Sequence, residues 1–184
     1  MLNYPVREMV NILLKSGGLT LVELMISVAV IGTTLTIGIP SYHSMIERQH
    51  LLVTTDVIYQ QFRLARSYAI KHNQQLVMQF CQQGEQWKVG LTTNTECDCF
   101  QPLSCSLNGQ EQVYDFIDGK KVKLESINYS HSKVWFSPIR LNSNGGTIII
   151  STANDKKIKI ITSLIGRIRI CQIGAVGLGY TECI

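Results

Sequence analysis

From Leu19 to Ile39 the chain runs for 21 residues with a single charge, Glu23. Coiled into a helix at ~1.5 Å per residue, this run reaches about 32 Å, enough to cross a hydrocarbon core of about 30 Å. Glu23 is its fifth residue. An unpartnered carboxylate at that depth costs roughly 2.5–3.5 kcal/mol on an insertion scale, so an ordinary anchor would not carry it. A buried charge at the start of an apolar helix needs a reason. Arg7 and Lys15 precede the run, on the side that the positive-inside rule assigns to the cytoplasm, and Val10 to Leu14 is too short to span. Toward its end, Gly32, Thr33, Thr34, Thr36, Gly38 and Pro40 weaken and kink a helix.

Beyond Pro40 the pattern becomes amphipathic. Leu51, Ile58, Phe62, Ala65 and Ala69 fall on one helical stripe, with Val57, Leu64 and Tyr68 beside it. Arg48, Arg63, Arg66 and Lys71 lie mostly off it. The stripe should pack against a sheet. After Asn73 the period becomes two. Gln75–Cys81 and Gln86–Leu91 read as paired strands across Gln82-Gln83-Gly84-Glu85. Residues 94–112 read as an irregular surface loop. Lys121–Tyr129, Lys133–Phe136, Ile148–Ile150, Lys156–Thr162 and Gly166–Ile170 read as further strands, and Cys171–Ile184 as a Gly-rich tail. The expected fold is α+β: a long N-terminal helix packed on a small, mainly antiparallel β domain.

The N-terminal residues carry a family resemblance. A short basic leader ending in Gly17-Gly18, then Leu19-Thr20-Leu21-Val22-Glu23-Leu24 and an apolar run, resembles the signal of type IV pilins and type II secretion pseudopilins. The resemblance implies a leader over residues 1–18, cut by a prepilin peptidase between Gly18 and Leu19, with Leu19 then N-methylated. It implies a membrane and filament-core helix over 19–40, an amphipathic helix over 41–72 and a β-rich domain over 73–184. It gives Glu23 a role, pairing with the N-terminal amine of a neighbouring subunit, and Pro40 the place of the family's helix-kinking proline. It also implies that the Gly32–Pro40 stretch unwinds locally in the filament. Leu19 departs from the usual Phe. The alternative is an anchor that is neither cut nor polymerised. Further on, Leu64-Ala65-Arg66-Ser67, Ala69-Ile70-Lys71 and Asn73-Gln74, then Trp87, Gly90 and Asn94, resemble the GspH/FimT branch of this superfamily.

Six cysteines, Cys81, Cys97, Cys99, Cys105, Cys171 and Cys183, all follow the apolar run. An even number there suits disulfides in an oxidising compartment. Cys171 and Cys183 could close a loop over the tail, while the other four allow three pairings. Cys97-x-Cys99 with Cys105 lacks the second pair at defined spacing that a zinc knuckle requires, so no metal is expected. No phosphate loop, Gly-x-Ser-x-Gly or His-Glu-x-x-His is present, and His43, His50, His72 and His131 are scattered. The expectation is a protein that is not an enzyme and has no cofactor.

The chain's net charge of +4 becomes local near its end. Lys156, Lys157, Lys159, Arg167 and Arg169 face one acid, Glu182, between Lys156 and Ile184. In an extended Gly166-Arg167-Ile168-Arg169, both arginines project from one side, about 6.5–7 Å apart, close to the spacing of successive phosphates. Gly-Arg-x-Arg near the C-terminus resembles the DNA-binding motif of FimT-type minor pilins, which bind double-stranded DNA at the cell surface for natural transformation. The resemblance assigns Gly166, Arg167 and Arg169 to that motif. The lysines enter only through their charge. The expected function is thus a minor type IV pilin with the inner membrane, other pilin subunits and double-stranded DNA as partners. Its domain would lie outside the cytoplasm, at the cell surface once in the pilus. The alternative is a structural GspH-type pseudopilin without DNA binding, whose arginines protect an edge strand.

Overall fold

A computed structural model of the chain describes residues 20–116, 122–139, 142–174 and 177–183, with residues 37, 38 and 40 described by their backbone alone. The leader over 1–18, the bond between Gly18 and Leu19, and Lys121 lie outside the described residues. The chain divides into two compact units, with the boundary between His43 and Ser44.

The first unit is the apolar half of α1, a helix assigned over Leu21–His72 that passes through Pro40. Thr20 caps it: its Oγ1 accepts the Glu23 N–H at 3.2 Å. Thr20 and Glu23 stand in the spacing of a capping box, with the acid in the positive first turn. Further along, the hydroxyls are turned back on the helix. Ser27 donates to the Glu23 carbonyl at 2.7 Å, Thr33 to Val30 at 2.9 Å and Thr36 to Thr33 at 2.7 Å. A polar group satisfied within its own helix needs nothing from a hydrocarbon surround. Every described large apolar side chain from Leu21 to Ile39 is more than half exposed, so this face requires a non-aqueous partner.

The second unit, Ser44–Ile184, carries the core. The expected stripe is its spine, since Leu51, Ile58, Phe62 and Ala65 are wholly buried and Ala69 nearly so. Asn73, in the left-handed region at φ 49°, ends the helix, and the Gln74 N–H reaches back to the Ala69 carbonyl.

Two four-stranded antiparallel sheets meet the stripe. The strands of the first are β1 (Leu76–Gln83), β2 (Gln86–Thr92), β5 (Val113–Asp115) and β7 (Lys133–Phe136), in the order β5-β2-β1-β7. Those of the second are β6 (Val122–Asn128), β8 (Gly146–Thr152), β9 (Lys157–Thr162) and β10 (Ile168–Ile173), in the order β10-β9-β8-β6. Phe62 touches Phe80 of β1 and Phe136 of β7, both at 6.2 Å between ring centroids. Ile148, Ile150, Ile158 and Ile160 face the same core from the second sheet. Trp87 ties the sheets together, donating from Nε1 of β2 to the Val122 carbonyl of β6 at 3.1 Å.

Three expectations need correction. Residues 94–112 are not wholly irregular: β3 (Ser106–Leu107) and β4 (Gln110–Glu111) form a ribbon, and β5 follows directly. Its turn is Asn108-Gly109, both at positive φ, the strongest short hairpin signal a sequence can carry. The last strand starts two residues later than expected and runs on to Ile173, so Cys171 belongs to β10 rather than to the tail. The tail is also no free end. Leu178 is buried in the core, and the backbone of Gln172 pairs with Thr181 and Cys183.

All six cysteines are paired, as Cys81–Cys99, Cys97–Cys105 and Cys171–Cys183. The second bridge explains Gly90, where an added Cβ would lie 2.3 Å from the Cys105 sulfur and 3.2 Å from that of Cys97.

Candidate functional site

The loop between β9 and β10 is held by its own backbone. Ser163 donates to the Arg167 carbonyl at 2.9 Å, and Gly166 donates to the Ser163 carbonyl at 2.8 Å. The Arg167 N–H closes the turn on Ser163 Oγ at 3.1 Å. Gly166 takes φ 68°, a conformation open to glycine at little cost, which is why glycine precedes the arginine. Outside, Ser143 donates to the Leu164 carbonyl at 3.0 Å. Tyr129 clamps the preceding strand end, its hydroxyl donating to Thr162 Oγ1 at 2.8 Å. Burial pushes the Tyr129 phenol up to about 12.

Burial alternates along the motif as an extended chain requires: Arg167 and Arg169 are exposed, Ile168 and Ile170 half-buried against the core. Arg167 precedes the strand, and Arg169 lies in it opposite Ile161. The two arginines nonetheless line different clefts. Arg167 and Ile168 form one wall of a cleft of about 360 Å³ whose other wall is α1, through Tyr59, Arg63, Arg66, Ser67 and Ile70. These helical residues recur at intervals of three and four, so they share one face beside the buried stripe. Arg66 donates from Nη1 to the Gly166 carbonyl at 3.4 Å, and Arg63 lies over the Tyr59 ring at 5.9 Å from its centroid. No carboxylate lines this cleft, and among the described residues none of its three guanidiniums has an ion pair. Arg169 lines a smaller cleft of about 180 Å³ with the Cys171–Cys183 bridge and Glu182.

The lysines lie toward the other end of β9. Lys157 is ion-paired to Glu125 at 2.7 Å and to Asp155 at 3.0 Å, and these bonds hold its ammonium above the ordinary lysine range. Lys156 donates from Nζ to the Ser44 carbonyl at 3.2 Å, next to a hydrogen bond from Asn154 to Glu47. Lys159 is half-exposed, opposite Cys171 of β10. Ser44 and Arg66 are separated by about 33 Å of helix at ~1.5 Å per residue. The basic stretch read from the sequence is thus two groups, one neutralised and one not.

Three uncompensated guanidiniums in a concave site attract an anion, and the guanidinium fork matches phosphate or carboxylate with two parallel hydrogen bonds. Sequence reasoning missed Arg63 and Arg66. Their signal was the i, i+3 spacing of two arginines adjacent to the apolar stripe. Among the described residues, no group of three or more His, Cys, Asp and Glu could hold a metal. Glu23 and Pro40 lie on α1, in the other unit.

Comparison with known proteins bears on this geometry. A family model described as "Type II transport protein GspH" matches residues 54–166, from the amphipathic helix to the glycine before Arg167. No curated protein matches the chain. One similar solved structure is the minor pseudopilin EpsH from the type 2 secretion system of Vibrio cholerae, at 12% identity and a TM-score of 0.49, covering 67% of this chain and 97% of that one.

Proposed function

Since the chain belongs to the GspH family of type II transport proteins, we infer that it is a minor pilin-like subunit, held in the inner membrane by the apolar half of α1 and built with other pilin subunits into a filament. The observation that carries this is an exposed apolar helix with one acid, Glu23, near its start. Three disulfides support a domain outside the cytoplasm. A prepilin peptidase would cut between Gly18 and Leu19, and Glu23 would then pair with the amine of a neighbour. Local unwinding near Pro40 would let the helix fit the filament.

Glu23→Gln tests this, because glutamine retains the capping role while removing the charge. The variant is expected to be inserted and cleaved, as read by mass spectrometry of its N-terminus, but absent from sheared filaments. Its incorporation at wild-type level would reduce Glu23 to a helix cap.

A second reading is favoured by one observation: Arg167 and Arg169 stand exposed and without an ion pair among the described residues, on a hairpin whose turn is rigidly bonded. These arginines would bind the phosphates of double-stranded DNA without sequence preference, for uptake. Such binding is electrostatic and falls steeply with salt. A few contacts per copy hold DNA weakly, and several copies in a filament add avidity. Fluorescence anisotropy with a short duplex is expected to show salt-sensitive binding that disappears in a folded Arg167→Ala/Arg169→Ala chain. Absence of binding by the wild type at low salt would leave the structural subunit alone.

A further inference from the structure

The sequence motif ends at the hairpin, but the positive surface does not. We propose that α1 supplies half of the DNA site: Arg63 and Arg66, with Arg167, hold one backbone phosphate of duplex DNA in the cleft between helix and hairpin. This rests on the DNA-binding reading and extends it to residues that no motif marks.

Several observations converge on a phosphate. The three guanidiniums come from two elements separated by about a hundred residues of chain, and Arg66 is tethered to the Gly166 carbonyl, so the helix and the Arg167 turn are bonded together. No carboxylate lines the cleft to neutralise them. Its volume of about 360 Å³ is at the lower end of ligand-site sizes, suited to a phosphodiester rather than to stacked bases. The Ser67 side chain adds a neutral donor, and Tyr59 lies beneath Arg63 and limits its sweep. Arg169 faces the Glu182 cleft and meets a different phosphate, so the two motif arginines bracket the backbone. A protein partner with an acidic face would suit the charge as well. Duplex DNA is favoured because the site continues the exposed arginine of β10.

The test uses the full chain in non-ionic detergent and a short duplex titrated at several salt concentrations. Arg63 is exposed and makes no core contact, so Arg63→Gln should leave the melting temperature unchanged. It is expected to weaken binding roughly fivefold near 0.1 M salt and to make the slope of log K against log salt shallower by about 0.9. Arg48→Gln removes the same charge from the Ser44 end of the domain and is expected to change affinity by less than about twofold with the slope intact. Equal effects of the two variants, in a wild type that binds through Arg167, would overturn the helix site and leave the hairpin site standing. No binding by the wild type would overturn both. Normal DNA binding by Arg63→Gln, with its loss from filaments, would also overturn the inference and assign the cleft to an acidic face of a neighbouring subunit.

Discussion

The two ends of β9 have the same sign of charge and opposite circumstances. At its start, Lys157 has two carboxylates within 3.0 Å and Lys156 a backbone carbonyl. Beyond its end, Arg167 joins Arg63 and Arg66 around a cleft without an acid. The difference teaches that counting basic residues along a strand overstates a patch. Lys157 contributes little far field, because Glu125 and Asp155 cancel it, whereas the guanidiniums add. The sequence shows five cations in fourteen residues. The fold places two of them in local polar bonds at one end and gives Arg167 two more from the helix at the other.

That contrast can be broken or sharpened experimentally. The largest effect should come from the Cys171–Cys183 bridge, which sews the tail onto β10 between the two ends. Replacing both cysteines by serine should cost about 3 kcal/mol by loop-closure entropy, measured by urea denaturation. DNA affinity at temperatures below the new transition should stay within about twofold, because Arg167 is held by its own turn.

Next is pH. The folded state keeps the Tyr129 proton where the unfolded chain gives it up, since burial raises the phenol from 10.0 to about 12. Its contribution is therefore whole below about pH 10 and lost as pH rises toward 12. The wild type should lose about 2 kcal/mol across that window through this group, and Tyr129→Phe should show a flatter profile. Equal slopes would remove Tyr129 from the arginine end's supports.

Charge reversal at Arg167 comes third. Arg167→Glu should weaken duplex binding at least about tenfold, or about 1.4 kcal/mol, while Lys157→Gln should change it by less than about twofold. Comparable losses would mean that the two ends are electrostatically alike.

The smallest effect should come from releasing the quenched lysine. Glu125→Gln with Asp155→Asn should lower stability by no more than about 1 kcal/mol, as partly exposed ion pairs do. It should raise DNA affinity slightly, as an anisotropy titration would show, turning the neutralised end into a weak copy of the other.

Much of this was legible in local pattern. The stripe of Leu51, Ile58, Phe62, Ala65 and Ala69 is the buried spine because helical period alone puts those residues on one side. Strand alternation located β1, β2, β7 and β9 to within two residues at each end, since burial on one face enforces it. The β3–β4 ribbon escaped because two-residue strands have no period to read, although Asn108-Gly109 announced its turn. Half of the candidate cleft was legible as Gly-Arg-Ile-Arg. The other half was not, because a charged residue beside an apolar stripe reads as a solvated face until something is known to pack opposite it.

By itself, then, the sequence determined the apolar run with its single acid, the amphipathic helix after it, the β-rich remainder and the exposed alternation of Arg167 and Arg169. These depend on hydropathy and on periods of 3.6 and 2, which neighbouring residues settle among themselves. Tertiary structure alone decided which cysteines pair, which lysine meets Glu125, and that Arg63 and Arg66 stand across from Arg167. Each of these joins groups brought together by packing, and whether a charge is cancelled or left to act on a ligand depends on what the fold places within a few ångströms of it.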